Sequence, residues 1–459
     1  MSDATMTLVV LGVVAFFFVT ELLPLAVTAM AGAVAVGVLG IIPMNLVFSG
    51  LSNSTVVLFA AMFVIGAAMF HTGLAQKVGS TVVKITGTGE NSLMFGTMLV
   101  AAVLSSVTSN TATTACLIPV VIGICQVAGI PANRQLMPLA YAAGVGGTIT
   151  LVGTPPNIIA AGAMKAAGIT PFGFFEFAWI GIPLTIAAML YMMFVGKHFL
   201  PKGSAVRSEV DADAAAEAKA GDTSVGKQWL TGATLLVVVV VMALDLKSFP
   251  LQVAATTGAL FLVMTKCIGE KDAYKGIDWV TIFLFAGMLP IATAMDKSGA
   301  GKMIADLVVG AMGASPNPIV VTAVLFLLSC GLTQFMSNTA STALLAPIGI
   351  GIAKGLSVSP APVMMAIAIA ASCAFATPVG TPPNTLVLGP GGYKFMDYVK
   401  AGSGLVAVCF IVSVIIIPMV WKFSDAPKPL DGDTRSAVIA PAADPPVVVA
   451  PVAVLAPAG

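Results

Sequence analysis

The sequence carries one pair of short polar motifs twice. Ser-Asn-Thr-Ala stands at 109–112 and again at 337–340, and Val-Gly-Thr-Pro-Pro-Asn follows at 152–157 and at 379–384. Shorter matches elsewhere, such as Pro24 with Pro250, keep nearly the same spacing between the copies. A spacing preserved over a whole unit indicates an internal duplication rather than chance composition.

The composition places both copies in a membrane. Hydrophobic residues make up 58% of the 459 residues, charged residues only 9%, and the mean hydropathy is +1.02. These values are far from those of soluble proteins. Within apolar sequence, polar side chains and helix-breaking Pro and Gly are costly unless the freed backbone groups line a site. Paired interruptions in the two halves of a membrane protein are therefore the best indication of a transporter's substrate site.

Apolar runs of about 20 residues predict five spans in each half. They lie at 4–20, 23–42, 54–72, 137–164 and 174–200 in the first half, and at 228–246, 249–266, 279–296, 361–388 and 401–422 in the second. We therefore predict an all-α polytopic membrane protein made of two repeats, at 1–202 and 228–423. The fourth span of each repeat, 137–164 or 361–388, contains Thr-Pro-Pro-Asn and is predicted to be a broken helix.

One further apolar stretch in each half, 92–128 or 317–356, has the Ser-Asn-Thr motif at its midpoint. Each stretch could be two full spans or one re-entrant hairpin. The hairpin is favoured because polar residues at a tip buried in protein can cap the following helix and face a ligand, whereas a membrane surface would not require them. With an odd number of spans per repeat, the two halves become inverted repeats, as in many secondary transporters.

The distribution of charge predicts the orientation. On the ten-span arrangement, thirteen of the 21 lysines and arginines fall on the side of the connector between the repeats and eight on the other side. By the positive-inside rule the connector is cytoplasmic and both termini are outside. Residues 203–227 are predicted to be a flexible cytoplasmic linker. Residues 424–459, rich in Pro, Ala and Val without periodicity, are predicted to be a disordered tail.

Several function classes find no support in the sequence. The six cysteines lie singly in apolar stretches and are predicted to be small core residues, and the two histidines form no metal-binding pattern. A net charge of +1 without a long basic run gives no reason to expect nucleic acid as a partner. The sequence shows neither the nucleophile and base of an intramembrane enzyme nor the P-loop of an ATP-driven pump. An ion channel would have no need of inverted repeats around an occluded site.

The paired motifs resemble those of the divalent anion/sodium symporter family, and the resemblance covers essentially residues 4–422. Val-Thr-Glu-Leu-Leu-Pro at 19–24 and Ala-Phe-Ala-Thr-Pro-Val at 374–379 also match the family. The resemblance implies a homodimeric elevator transporter for di- or tricarboxylates. A scaffold domain would form the dimer, and a transport domain would carry the hairpins and broken helices. No cofactor is implied, and Na⁺ would be the coupling ion.

The resemblance also implies site residues. The substrate carboxylates would contact Asn110, Thr111, Ser337, Asn338 and Thr339, and the pocket would be lined by Thr154, Pro155, Thr381 and Pro382. One Na⁺ site would comprise Ser105, Ser109, Asn110 and the Gly153 carbonyl, and the symmetric site Thr333, the Met336 carbonyl, Asn338 and the Gly380 carbonyl. The chain departs from the family pattern at Gly144, where a serine is expected by comparison.

The charge of the predicted site favours cation coupling independently of the resemblance. A buried dianion needs compensation, yet the hairpin tips and broken-helix motifs contain no Lys or Arg. Two half-helix N-termini supply only about half a unit charge each. Bound cations would supply the rest through hydroxyl, amide and carbonyl oxygens.

We therefore expect a Na⁺-coupled transporter of C4-dicarboxylates such as succinate, malate or fumarate, embedded in the lipid of the cell inner (plasma) membrane. The alternative is a sodium-independent exchanger of one dicarboxylate for another on the same scaffold. In that case a cationic group, such as Lys354 folded back toward the site, would replace the cation.

Overall fold

The computed structural model describes residues 2–78, 81, 89–201, 224–244, 248–304, 306 and 317–425. The linker predicted at 203–227 and the tail predicted at 424–459 therefore lie almost entirely outside the described residues. All regular secondary structure in the described part is helical. This is the all-α class that the apolar runs predict.

The two halves present their helices in the same order. The first half contains α1 (Asp3–Thr20), α2 (Leu25–Val38), α3 (Ser54–His71), α4 (Glu90–Ser105), α5 (Asn110–Ala128), α6 (Leu136–Gly146), α7 (Pro155–Ala166) and α8 (Ala178–Phe194). The second half contains α9 (Val225–Ala243), α10 (Leu251–Met264), α11 (Glu270–Gly276), α12 (Trp279–Ser298), α13 (Pro318–Thr333), α14 (Asn338–Gly355), α15 (Pro360–Ala371), α16 (Pro382–Gly391) and α17 (Phe395–Val420). Apart from the short α11, the order corresponds helix by helix, so that α12 is the counterpart of α3 and α14 of α5.

Several of these helices are suited to a bilayer. Among the described residues, five helices, α1, α3, α9, α12 and α17, are long and apolar enough to cross a membrane. Shorter helices such as α2, α4, α8 and α10 are apolar as well. Large apolar side chains, for example Phe16 and Trp229, are exposed on the helix surfaces, where lipid would cover them. The chain is a multi-pass membrane protein.

Paired prolines explain where the two broken helices restart. Pro155 and Pro382 are the first residues of α7 and α16, and each is followed by a second proline. Proline is tolerated there because the first N–H groups of a helix have no partner within it. The preceding residues, Thr154 and Thr381, are extended, with φ of −145° and −146°. The non-helical segment before each proline leaves backbone carbonyls free to bind other groups.

The helices pack into two groups. In the first, α2 packs along α12, α10 packs along α3, α1 contacts α2 and α12, and α9 contacts α10. In the second, α4 to α8 pack with α13 to α17, and the halves interlock because α7 contacts α14 and α15 while α16 contacts α5 and α6. The groups meet where α12 contacts α7 and α14.

Small residues allow α2 and α12 to approach closely. A Cβ atom on Gly287 would lie within 3 Å of the Ala29 backbone, and one on Gly32 would lie 2.7 Å from the Ile291 side chain. Close packing of small residues stabilises helix pairs in membranes, where the hydrophobic effect contributes little between helices. Residue numbers increase together in these contacts, from Ala29 and Gly287 to Gly32 and Ile291. Helices α2 and α12 therefore run in the same direction.

The six cysteines belong to the packed interior, as the sequence predicts. All six are buried and unpaired. Cys330 and Cys373 lie together in the second half, with the Cys330 thiol 3.6 Å from the Cys373 carbonyl oxygen. Neither the cysteines nor the other His, Asp and Glu residues of the described ranges form a group that could hold a metal ion.

Candidate functional site

Both Ser-Asn-Thr tips and both Thr-Pro-Pro segments converge on one cavity. Its volume is about 260 Å³, near the lower end of the range for small-molecule sites. The lining residues from the four motifs are Ser109, Asn110, Thr111, Val152, Gly153, Thr154, Pro155, Ser337, Asn338, Thr339, Thr381, Pro382 and Pro383. The helices that follow the motifs, α5, α7, α14 and α16, all begin at this cavity. Their N-termini contribute partial positive charge, which favours an anionic ligand.

Behind the cavity wall, one end of the Asn110 carboxamide faces a hydroxyl and two carbonyl oxygens. It lies 2.5 Å from Ser105 Oγ, 3.0 Å from the Gly153 carbonyl oxygen and 3.3 Å from the Ala143 carbonyl oxygen. The Ser105 hydroxyl also lies 2.7 Å from the Ala143 carbonyl oxygen, to which it donates. The cluster thus brings together polar groups from α4, the hairpin tip, α6 and the first broken-helix segment.

The second half contains the same cluster around Asn338. One end of its carboxamide lies 2.7 Å from Thr333 Oγ1 and 3.0 Å from the carbonyl oxygens of both Gly380 and Ala371. The Thr333 hydroxyl donates to the Ala371 carbonyl at 2.9 Å. The structure therefore brings together three of the four residues predicted for each Na⁺ site and adds one carbonyl from α6 or α15.

Glycine at 153 and 380 lets each broken-helix segment pass directly behind a hairpin. A Cβ atom on Gly153 would lie 2.9 Å from the Ser105 carbonyl oxygen, and one on Gly380 would lie even closer to the Thr333 carbonyl oxygen. Such approaches are open only to a residue without a side chain. A larger residue at either position would push the segment outward and remove its carbonyl from the oxygen cluster.

The remaining predicted residues occupy different places around the cavity. Thr154 and Thr381 end the two non-helical segments and are almost completely buried. Ser337 Oγ accepts a hydrogen bond of 3.1 Å from a backbone N–H in the first turn of α14 and so caps that helix. Ser109 precedes α5 without a side-chain cap of this kind. Met336 is buried immediately before the second tip.

The asparagines that end the two hexapeptides hold the broken-helix segments in shape. Asn157 Nδ2 donates to the Thr150 carbonyl at 2.8 Å. Asn384 Nδ2 donates to the carbonyls of Ala374 at 2.8 Å and Thr377 at 2.9 Å. Both asparagines are fully buried. No role was predicted for them from the sequence, although their repetition within the hexapeptide is a signal that could have indicated one.

Gln334 is a further residue of the site that was not predicted from the sequence. Its amide nitrogen donates to the Cys373 carbonyl and its amide oxygen accepts from Ala376 N, both at 3.1 Å. The Thr377 hydroxyl donates to the Gln334 carbonyl at 2.7 Å. Gln334 therefore ties the second hairpin to the second broken-helix segment. Its counterpart in the first half is Ser106, so no repeated residue marked the position.

The wall opposite the motifs comes from α3 and α12. Its residues include Phe59, Met62, Phe63, Asp278, Thr281 and Leu284. Asp278 is the only charged residue among the described residues that line the cavity. Its carboxylate accepts hydrogen bonds from Thr281 N at 3.1 Å and Thr281 Oγ1 at 2.5 Å, which caps α12. The described lining thus has no cationic side chain to compensate a bound anion.

At Gly144, where the family pattern suggests serine, an aromatic ring occupies the space that a side chain would need. A Cβ atom on Gly144 would lie 2.9 Å from Phe375 Cε1. The ring of Phe375 packs on Tyr141 with a centroid distance of 5.2 Å, and the Tyr141 hydroxyl donates to the Phe375 carbonyl at 2.9 Å. Gly144 therefore makes room for Phe375 where the two broken helices meet.

Two lysines at the far ends of cavity helices bind partners away from the cavity. Lys354, near the end of α14, forms an ion pair with Asp296 of α12. Lys165, near the end of α7, donates to Ser54 Oγ at 2.7 Å. Because α14 begins at the cavity and is 18 residues long, its last turn lies more than about 20 Å away. Lys354 does not fold back toward the cavity in this structure.

The fold and its central cavity define the class of the protein, a multi-pass α-helical membrane transporter. A family model described as a citrate transporter matches residues 15–362 and 342–457. The chain belongs to this citrate transporter family, which is of the divalent anion/sodium symporter type that the paired motifs resemble.

Curated relatives extend over most of the chain. The uncharacterised transporter YfbS of Escherichia coli strain K12 is 26% identical, over 90% of this chain and 98% of the relative. The sodium-dependent dicarboxylate transporter SdcS of Staphylococcus saprophyticus is also 26% identical, over 88% of this chain and 83% of the relative. The matches therefore include both repeats.

Solved structures share the fold at low sequence identity. The YdaH transporter of Alcanivorax borkumensis superposes with a TM-score of 0.64 and 16% identity, covering 82% of this chain and 87% of that one. MtrF of Neisseria gonorrhoeae, an antimetabolite efflux pump, has a TM-score of 0.58 and 14% identity, covering 86% of each chain. These likenesses concern the fold alone.

Proposed function

We propose that the chain is a sodium-coupled symporter of C4-dicarboxylates, such as succinate, malate and fumarate, in the cell inner (plasma) membrane. The observation that carries the proposal is the pair of oxygen clusters, around Asn110 and Asn338, beside a cavity whose described lining has no cationic side chain. A dianion in that cavity needs positive charge, and clustered oxygens are ligands for Na⁺. The sodium-dependent dicarboxylate transporters among the relatives support this proposal.

Each Na⁺ would be held by a hairpin and a broken-helix segment together. The first site uses Ser105, Ser109, Asn110 and the Gly153 carbonyl, to which the geometry adds the Ala143 carbonyl. The second uses Thr333, the Met336 carbonyl, Asn338 and the Gly380 carbonyl, to which the geometry adds the Ala371 carbonyl. The bound cations would draw these elements together and add positive charge at the cavity wall.

The dicarboxylate would then lie between the two hairpin tips. Its carboxylates would accept hydrogen bonds from the tip residues and from N–H groups at the starts of α5 and α14. The tip residues are Asn110, Thr111, Ser337, Asn338 and Thr339, and Thr154, Pro155, Thr381 and Pro382 shape the rest of the pocket. A cavity of about 260 Å³ favours a small substrate of this kind.

We further propose inverted repeats, an elevator mechanism and a homodimer. The packing of α2 on α12 supports the inversion. As successive spans, α2 and α3 run in opposite directions. The counterpart of α3, α12, runs in the same direction as α2, because Ala29 lies beside Gly287 and Gly32 beside Ile291. The cavity lies where the two helix groups meet, so sliding of one group against the other would expose it to alternate sides. The dimer would form through the group that contains α2, α3, α10 and α12.

The test is uptake of labelled succinate by purified protein in proteoliposomes. An inward Na⁺ gradient should drive uptake without internal dicarboxylate, and K⁺ should not replace Na⁺. Asn110→Ala and Asn338→Ala should each abolish uptake while eluting with the wild-type protein on size exclusion. Uptake that needs internal dicarboxylate and ignores Na⁺ would identify the exchanger instead. Absence of uptake for succinate, malate and fumarate under all these conditions would reject the proposal.

A further inference from the structure

The carboxamides of Asn110 and Asn338 have equivalent surroundings in the two halves. The inner end of each faces two carbonyl oxygens and one hydroxyl oxygen. Ser105 and Thr333 each have one hydroxyl proton, which is within reach both of the amide oxygen, at 2.5 and 2.7 Å, and of a carbonyl of α6 or α15, at 2.7 and 2.9 Å. Without a cation, an amide oxygen placed there can accept only that one proton and faces the Gly153 or Gly380 carbonyl oxygen lone pair against lone pair. An amide N–H₂ there would donate to the Gly153 or Gly380 carbonyl at 3.0 Å and satisfy the cluster.

A bound cation favours the opposite orientation of each carboxamide. Na⁺ within the cluster needs an oxygen ligand from each asparagine and repels an N–H₂ group. A half-turn about the Cβ–Cγ bond exchanges the oxygen and the nitrogen of a carboxamide without requiring additional space. This torsion of asparagine is broad and nearly two-fold. The empty and the cation-bound clusters therefore select opposite orientations of the same side chain.

We propose that Asn110 and Asn338 rotate their carboxamides when Na⁺ binds, and that this rotation links the cation to the dicarboxylate. The inference rests on the proposed function. Without Na⁺, the amide oxygens are turned to the cavity, which both asparagines line, and disfavour a carboxylate. With Na⁺, the oxygens turn inward as ligands and the N–H₂ groups turn outward, where the protein itself presents only donors and a carboxylate in the cavity would be their acceptor. Each cation thus adds charge and also converts an acceptor of the pocket into a donor.

Replacement by aspartate separates this mechanism from simple charge compensation. In Asn110→Asp and Asn338→Asp the carboxylate keeps an oxygen for Na⁺ but has no N–H to offer the substrate. Stabilisation by NaCl alone should be retained or increased in a thermal unfolding assay. Succinate affinity at saturating NaCl should fall by at least about tenfold, because a hydrogen bond between a donor and a charged acceptor is lost. Thr111→Val and Thr339→Val serve as comparisons, since they should weaken succinate binding and leave the Na⁺ response unchanged.

Spectroscopy reports the rotation directly. With ¹⁵N-asparagine labelling, the side-chain amide signals that are missing in Asn110→Asp and Asn338→Asp identify the two groups. These signals should shift on addition of NaCl in the absence of succinate, and KCl should leave them in place. Other buried asparagines, such as Asn157 and Asn384, provide internal references because their amide nitrogens donate to backbone carbonyls outside the clusters.

The outcomes separate the inference from the function on which it rests. If wild-type protein shows no Na⁺-dependent binding of succinate, the proposed function fails. If wild-type protein shows it but the aspartate variants bind succinate with wild-type affinity, the N–H donors are not needed and the rotation is wrong. Loss of the Na⁺ response in both aspartate variants would also overturn the rotation, because it would show that the carboxamide oxygens are not cation ligands.

Discussion

Phe59 of α3 and Phe285 of α12 meet edge to face, with ring centroids 5.8 Å apart and an interplanar angle of 70°. The two residues are counterparts, since each is the middle residue of Leu-Phe-Ala, at 58–60 and at 284–286. Contact between equivalent residues is expected where a two-fold relation passes between the halves. Phe59 also lines the cavity, so Phe285 supports one residue of the wall that faces the hairpin tips.

We predict that the pair is energetically coupled. Phe59→Leu and Phe285→Leu should each lower the free energy of unfolding, and the double variant should lose less than the sum of the two. An aromatic pair contributes about 0.5–1.5 kcal/mol beyond its buried area. Denaturant titration in mixed micelles over the double-mutant cycle measures this term. Phe16→Leu is the control, because the Phe16 side chain is exposed and its replacement should have little effect. Additive losses would show that the two rings act independently.

A second prediction concerns the packing between the two broken helices. Gly144→Ala should destabilise the protein by about 1–3 kcal/mol, because its Cβ atom would force Phe375 out of place. Gly123→Ala is a matched control, since Gly123 also lies within a helix and a Cβ atom there would meet no atom within 4 Å. That variant should be neutral or stabilised by up to about 1 kcal/mol through helix propensity. Thermal unfolding compares the two, and equal stability of both variants would contradict the packing argument.

A third prediction tests the inverted orientation. Asn45 and Lys271 occupy corresponding positions of the two halves, in the segments that precede α3 and α12, and both are exposed. In intact cells an impermeant thiol reagent should label Asn45→Cys and should label Lys271→Cys only after permeabilisation. Both substitutions change an exposed polar residue, so each serves as the control for the other. Labelling of both from the same side would rule out inverted halves.

A fourth prediction concerns Lys354, the cationic group that a sodium-independent exchanger could use. Its ion pair with Asp296 lies on the surface, and such pairs contribute at most about 1 kcal/mol. Lys354→Met should therefore leave succinate affinity and its dependence on Na⁺ within about twofold of wild type. Asp296→Asn is the control for loss of the ion pair alone. Loss of succinate binding in Lys354→Met but not in Asp296→Asn would place Lys354 in the substrate site.

The sequence was most informative where polar residues interrupt apolar runs. Ser-Asn-Thr and Thr-Pro-Pro are unfavourable within a membrane unless they form part of a site. Their duplication in corresponding positions argues against a purely structural role. Asn110 and Asn338 could therefore be singled out from the sequence alone. The third spans were predicted to begin at 54 and 279, where α3 and α12 begin, whereas α2 and α8 are shorter than the spans predicted at 23–42 and 174–200.

Other parts of the site have no signature in the residue types. The carbonyls of Ala143 and Ala371 belong to ordinary alanines, and every residue carries such a group. Phe59 is one of 24 phenylalanines, and only the packing of α3 on α12 brings it to the cavity. Gln334 was missed because its hydrogen bonds depend on the path of a non-helical segment that no periodicity describes. These features arise from tertiary geometry and cannot be read from spacing.

Because all six cysteines are buried, single cysteines for site-directed labelling can be introduced into the native chain without first replacing the native ones. Buried thiols are out of reach of aqueous reagents, so such reagents should find few native targets in the folded protein. A reporter attached to one introduced cysteine, at a surface position such as Asn45, would then give a signal from that position alone. Distances between two such reporters could follow the helix groups during turnover in the otherwise unaltered transporter. Titration of the wild-type protein with a thiol reagent, before and after unfolding, establishes how complete this protection is.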